Sequence, residues 1–142
     1  NENMLLLATI IINSIILGTM IFFSFVMAPL IFTKLEVEVA GKFIRAVFPW
    51  YYLFLGILSL FSLIAMAFAN RMDAIFMILF FLGVVVSRQI IMPKINIYRD
   101  LSANNNRKAE SMFNLLHRSS VGINFAQIVI CLIVVSRLVL YP

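Results

Sequence analysis

The sequence predicts an all-α integral membrane protein, a bundle of four transmembrane helices. Apolar residues make up 63% of the chain and charged residues only 12%, whereas a soluble domain carries about 25% charged residues. Four apolar runs are each long enough to supply the roughly 20 residues that a helix needs to cross a bilayer. None of these runs alternates apolar and polar residues as a β-barrel strand does. Residues 1–142 are therefore predicted to form a single transmembrane domain.

The four runs cover approximately residues 4–32, 47–69, 74–92 and 119–140. Prolines lie near three of their ends. Pro29 removes a backbone donor near the end of run one and predicts a kink there. Pro49 opens run two, where proline suits the first helical turn, and Pro93 directly follows run three. Trp and Tyr at positions 50–52 predict that this end of run two lies at the membrane–water boundary.

The connections between the runs differ in length and character. Residues 34–47 predict an amphipathic interfacial helix between helices one and two, because apolar residues recur at every fourth position. Residues 70–73 predict a tight turn. The third connection, residues 93–118, is polar; three asparagines at 104–106 predict its turn, and residues 107–118 predict an extension of helix four.

The basic residues predict the orientation. Most of the eleven lysines and arginines lie in or beside the first and third connections, and the net charge is +5. Cytoplasmic loops are enriched in Lys and Arg, so both long basic connections are expected in the cytoplasm and both termini outside. The lipid bilayer, and not nucleic acid, is the partner that this distribution indicates.

One polar stripe runs along the predicted helix four. Its members are separated by steps of three, four, three and four residues, which places them on one helix face: His117, Ser120, Asn124, Gln127 and Cys131. This face can pack on neighbouring helices through hydrogen bonds, or it can line a site for a ligand. Asn13, near the middle of run one, could pair with Gln127 at a similar depth.

A ligand pocket is one interpretation of this stripe. Arg88, near the end of run three, lies at the same predicted depth as the start of helix four. It can extend to the lipid headgroups, or it can point inward to His117, Ser120 and Asn124, with Gln127 deeper along the same face. The inward arrangement predicts a polar pocket open to the cytoplasm and suited to an anionic headgroup or a small anion.

The residues that carry most enzyme chemistry are sparse. All six acidic residues lie outside the four runs, which argues against a carboxylate-driven proton pump, and no catalytic triad or Gly-rich phosphate loop is present. His117 is the sole histidine and a weak candidate for ligating haem or a metal. No cluster of Cys and His has metal-ligand spacing, so no metal site is predicted. We therefore expect a protein that is not an enzyme.

Four short motifs occur in order along the chain. They are Ala28-Pro29-x-x-Phe32, Phe48-Pro49-x-Tyr51-Tyr52, Ile91-x-Pro93 and Leu116-His117-x-x-Ser120-x-x-x-Asn124. In this order they resemble the bacterial membrane family of unknown function that is related to transmembrane protein 205, a four-helix family linked to platinum-drug resistance. The resemblance covers nearly the whole chain. It implies a four-helix bundle in the inner (plasma) membrane of a bacterium. It marks six family-pattern positions, the structural prolines Pro29, Pro49 and Pro93 together with His117, Ser120 and Asn124.

That family is distantly similar to copper-resistance D-type membrane proteins and to haem-containing J-type protoporphyrinogen oxidases. Those relatives use several histidines, whereas this chain has only His117. The resemblance therefore implies neither copper transport nor haem-dependent oxidation by itself.

Two hypotheses about function follow. The first is a non-enzymatic membrane protein that binds or moves a small solute or lipid, or serves as an accessory subunit of a membrane assembly. The alternative is a haem- or metal-linked membrane redox protein that uses His117; a Soret band in the purified protein would favour it. Each run contains one glycine that would permit close helix approach within a protomer, in a homo-oligomer or in a larger complex: Gly18, Gly56, Gly83 and Gly122.

Overall fold

A computed structural model describes all residues from Asn1 to Pro142, and the chain forms four long helices. These are α1 (Glu2–Lys34), α2 (Val37–Phe68), α3 (Ala74–Ser102) and α4 (Arg107–Leu140). Each is long and apolar enough to cross a membrane, and no strand is present. The predicted all-α fold class is confirmed.

The helices pack in a closed ring in which each helix contacts chiefly its two neighbours, with α1 also packed on α4. Fully buried apolar side chains from all four helices fill the centre, among them Ile16, Leu55, Phe80 and Val134. The outer surface is also apolar, with many large side chains exposed along every helix. Soluble monomers rarely expose contiguous apolar surface on this scale, so the protein is an integral membrane protein.

Two π-helical turns interrupt the helices. One lies at Phe23–Met27 in α1 and the other at Ser87–Ile91 in α3. Each ends two residues before a proline, Pro29 or Pro93. Because proline lacks the amide hydrogen and its ring clashes with the carbonyl four residues earlier, the wider turn accommodates it without ending the helix. The disturbance predicted at Pro29 is therefore a π turn, and α3 continues past Pro93 to Ser102.

The first connection differs from its prediction in one respect. Residues 37–47 are helical, as expected, but they are the first turns of α2 and not a separate helix. Pro49 consequently lies inside α2 instead of at its first turn. The face of this segment that packs inward contains Ala40 and Ile44, which contact Ile31 of α1.

The end of the bundle that contains the first and third connections is called the basic end below. Here α1 and α3 end, and α2 and α4 begin. The turn between α3 and α4 has Asn105 in the left-handed region, with φ 62°. Asn106 caps α4 by accepting a hydrogen bond from the Ala109 amide at 3.1 Å, so the predicted extension of helix four is part of α4.

An ion-pair cluster around a buried carboxylate lies at the opposite end. Asp73, in the turn between α2 and α3, accepts hydrogen bonds from Arg137 Nε at 2.6 Å and Arg71 Nε at 3.0 Å. Arg71 also donates to the carbonyl of Tyr141 at 2.9 Å. Burial of the carboxyl opposes its ionisation, but the hydrogen bonds and charges of the two arginines outweigh it, so the pKa of Asp73 lies below its ordinary value.

Candidate ligand-binding site

A cavity of about 360 Å³ lies between the four helices at the basic end, beside both π turns. Every helix contributes to it. Its lining consists of Phe23, Ser24, Ala28, Pro29, Phe32, Ile44, Arg45, Phe48, Tyr51, Tyr52, Ser87, Ile91, Met92, Ile95, Asn96, Arg99, His117, Ser120, Val121 and Asn124.

The floor of the cavity is a hydrogen-bonded network of neutral polar groups. The Tyr51 hydroxyl donates to Asn124 Oδ1 at 3.0 Å, and Asn124 Nδ2 donates to Ser24 Oγ at 2.8 Å. The hydroxyls of Tyr52 and Ser120 are 3.2 Å apart. The network joins α1, α2 and α4, including a link between α2 and α4 across the ring. Its members satisfy one another, which offsets the cost of removing them from water.

Aromatic rings form much of the wall above this floor. Phe23 stacks on Tyr51, with ring centroids 4.5 Å apart and planes at 26°. Phe48 meets Phe23 edge to face at 5.4 Å. Phe23 belongs to the π turn of α1, so the turn that accommodates Pro29 also directs this ring toward the cavity. The wall can therefore contact an apolar ligand group.

The mouth of the cavity carries cations. Arg45 forms an ion pair with Asp100 at 2.7 Å and donates to the Asn96 carbonyl at 3.4 Å. The Arg99 guanidinium lies over the Phe113 ring, 5.3 Å from its centroid. His117 stacks on the same ring at a centroid distance of 6.0 Å. The site therefore changes from neutral and hydrogen-bonding at the floor, through apolar walls, to a cationic mouth.

Three of the predicted pocket residues, His117, Ser120 and Asn124, line this cavity together. The other two predicted members do not line it. Arg88 donates instead to the Pro49 carbonyl at 3.1 Å and to Gln89 Oε1 at 2.9 Å.

The place that Arg88 was predicted to take is filled by its neighbour. Ser87 lies inward and lines the cavity. Successive residues of a helix point in different directions around its axis, and Arg88 therefore points to the backbone of α2. Gln127 lies deeper in the bundle, where its Nε2 donates to the Phe80 carbonyl at 2.9 Å.

Several site residues were not predicted from the sequence. Tyr51 and Tyr52 are 7% and 4% exposed and belong to the floor, whereas Trp50 is 72% exposed. The predicted position at the membrane–water boundary therefore stays a prediction for Trp50 and is wrong for the two buried tyrosines. The motif containing the tyrosines was visible, but their inward direction depends on where the helix faces its neighbours. Arg45 and Arg99 were visible only as basic residues of the connections.

A second polar pairing lies deeper in the bundle and serves packing. Asn13 Nδ2 donates to Ser62 Oγ at 2.6 Å, so its partner is on α2 and is not Gln127. Cys131 Sγ donates to the Asn13 carbonyl at 3.3 Å. These groups join α1, α2 and α4 below the cavity. No group of three or more His, Cys, Asp or Glu side chains is close enough to hold a metal ion.

The fold and the cavity define a four-helix membrane protein with a mixed polar and apolar site at its basic end. The chain belongs to an uncharacterised family: residues 11–103 match the model of the domain of unknown function DUF4149. The match includes the three prolines at 29, 49 and 93 and ends before α4, so His117, Ser120 and Asn124 lie outside it. No curated protein and no solved structure matches the chain.

Proposed function

We propose that the protein is a non-enzymatic membrane protein whose cavity binds a small amphipathic solute or a lipid. The observation that carries the proposal is the layered chemistry of the cavity, with a polar floor, aromatic walls and a cationic mouth. A volume of about 360 Å³ lies within the range of small-molecule sites, about 300–1,000 Å³. The floor groups orient polar atoms, and the walls favour burial of apolar ones.

The depth of the cavity supports this proposal. From the opposite end, about 20 residues at 1.5 Å each cross a hydrocarbon core of about 30 Å, which places its inner boundary near Lys94 on α3 and Val121 on α4. The floor residues Ser120 and Asn124 then lie at this boundary. The mouth, with Arg45 and Arg99, lies at the level of the phospholipid headgroups. Amphipathic molecules concentrate at this depth.

A substitution that fills the cavity tests this function. Ala28 lines the cavity, and Ala28→Phe is expected to abolish the increase in thermal unfolding temperature that added lysophospholipid gives to the protein in a neutral detergent. Ala126→Phe is the matched control, because Ala126 is exposed on the outer surface and does not line the cavity. Equal responses of the two variants, with circular dichroism showing both folded, would refute the proposal.

The proposed orientation places the basic end in the cytoplasm and both termini outside a bacterial inner membrane. The charge distribution supports it, because Arg45, Arg99 and the other basic residues of the connections cluster at that end. We expect an impermeant maleimide on intact cells to label Met72→Cys and to leave Asn105→Cys unlabelled. Both positions are in turns, and native Cys131 is buried. The reverse labelling pattern would invert the orientation.

We also propose a more specific family relationship for the chain. The separate motifs that lie in α1, α2 and α3 support a relationship to transmembrane protein 205 and a more distant one to the copper-resistance proteins. A haem- or metal-linked function would depend on His117, which is exposed at the mouth and stacked on Phe113. The hydrogen-bonded floor, with Tyr51 and Tyr52 buried, favours ligand binding over this alternative. Assembly into homo-oligomers and assembly into a larger membrane complex are both compatible with the apolar outer surface.

A further inference from the structure

The guanidinium of Arg99 has no hydrogen-bond acceptor and no ion-pair partner in the chain. It is half-buried and lines the cavity, and its contact is with the face of Phe113. Arginine carries five N–H donors and keeps its charge at any physiological pH. A cation over an aromatic face is held in position, but its donors stay available to a ligand.

The charge balance at the mouth points to an anion. Arg45 and Arg99 both line the cavity, and one carboxylate, Asp100, pairs with Arg45. That carboxylate is 66% exposed, and exposed ion pairs contribute at most about 1 kcal/mol. Only one terminal nitrogen of Arg45 is engaged. Two guanidinium groups with free donors can bind a phosphate or carboxylate through paired hydrogen bonds.

The cavity is also open toward the lipid. Beyond its π turn, α1 packs on the start of α2 and no longer packs extensively on α4. Phe32 of α1 and Val121 of α4 both line the cavity and are 57% and 55% exposed on the outer surface. The gap between these two helices therefore has apolar edges near the boundary of the hydrocarbon core. An alkyl chain can pass through it into the surrounding bilayer.

We propose that Arg99, assisted by Arg45, binds the anionic headgroup of an amphiphile whose alkyl chain leaves the cavity between α1 and α4. The inference rests on the proposed function and specifies its ligand class. The headgroup chemistry is a phosphate or carboxylate. The apolar edges of the gap distinguish an anionic amphiphile from a free anion, which would gain nothing from them.

The test compares three probes on the full-length protein in a neutral detergent. Lysophosphatidylglycerol is anionic with one chain, lysophosphatidylcholine has the same chain without net charge, and glycerophosphoglycerol has the same anionic headgroup without a chain. We expect the first to bind most tightly and Arg99→Gln to weaken it about tenfold, equivalent to about 1.4 kcal/mol. Arg99→Lys, which keeps the charge, should lose less. Arg118→Gln is the matched control, since Arg118 is exposed at the same end and does not line the cavity.

The other results would overturn the inference in distinguishable ways. Equal binding of the two lysolipids would remove the role of charge, and equal binding of glycerophosphoglycerol and lysophosphatidylglycerol would remove the role of the chain. An equal loss in Arg118→Gln would reduce the effect to diffuse surface charge. If Ala28→Phe abolishes lysolipid binding and Arg99→Gln does not weaken it, the cavity function survives and the headgroup site fails. If neither substitution has an effect, both proposals fail.

Discussion

Asp73→Asn is expected to lower the free energy of unfolding by about 2 kcal/mol, because the buried carboxylate accepts charge-assisted hydrogen bonds from two arginines and the neutral amide that replaces it accepts weaker ones. The Asp73 side chain is 3% exposed and holds Arg71 and Arg137 at 3.0 and 2.6 Å. Through these contacts it joins the α2–α3 turn to the end of α4. Unfolding by dodecyl sulfate from mixed micelles, followed by circular dichroism, measures the change.

Asp100→Asn is the matched control for this prediction. Asp100 also pairs with an arginine, at 2.7 Å, but its side chain is 66% exposed. Exposed pairs contribute at most about 1 kcal/mol, so this substitution should change the free energy of unfolding by less than that. If the two substitutions had equal effects, burial of the Asp73 carboxylate would not make its ion pairs more stabilising than the exposed pair of Asp100.

The stabilisation by Asp73 also has a predictable dependence on pH. Its pKa in the folded protein lies below the ordinary value of 3.8. A carboxyl with a depressed pKa stabilises the fold fully above the ordinary value, and this contribution is lost as the pH falls through the folded-state pKa. The difference in stability between the wild type and Asp73→Asn should therefore be constant near neutral pH and shrink below about pH 4.

The helical architecture could be predicted because it depends on composition and length. The lipid offers no partners for backbone groups, so each apolar run of sufficient length must become a helix. The ends were harder to predict. Pro93 predicts the end of a helix, but because a π turn precedes it, α3 continues to Ser102. Whether proline ends or distorts a helix depends on packing around it, which the local sequence does not specify.

The candidate site could be predicted only in part, for a related reason. The spacing of His117, Ser120 and Asn124 places them on one face of α4 whatever the other helices do. Their partners depend on the rotation of those helices. Tyr51 and Tyr52 face inward because the side of α2 that contains them packs toward the centre of the four-helix bundle. In the same way, the rotation of α3 directs Ser87, and not Arg88, into the cavity.

The sequence could identify the four glycines as candidates for close helix contact, but it could not show which of them make such a contact. An added Cβ would meet nothing within 4 Å at Gly18 or Gly122. At Gly56 it would lie 3.3 Å from Val84 Cγ1, and at Gly83 it would lie 2.8 Å from Gln127 Nε2. A side chain at Gly83 therefore requires Gln127 to shift, whereas at Gly56 a movement of Val84 by a few tenths of an ångström is enough.

Gly83→Leu is therefore expected to destabilise the fold by about 3 kcal/mol, which combines overpacking between α3 and α4 with a lost hydrogen bond. The new side chain would push Gln127 away from the Phe80 carbonyl, to which its Nε2 donates at 2.9 Å. Gly18→Leu is the matched control and should cost less than about 1 kcal/mol, because leucine favours the helix and meets open space. The measurement is again unfolding by dodecyl sulfate.

A double-mutant cycle identifies the cause of the Gly83 effect. It uses the milder Gly83→Ala, which keeps the variant foldable, in the wild type and in Gln127→Ala. Because the three atoms nearest to the added Cβ all belong to the Gln127 side chain, the cost of Gly83→Ala should largely disappear when that side chain is absent, giving a coupling energy of about 1 kcal/mol. An undiminished cost in the Gln127→Ala background would mean that Gly83 matters through the backbone of its own helix, and the close approach of α3 to Gln127 would not explain its presence.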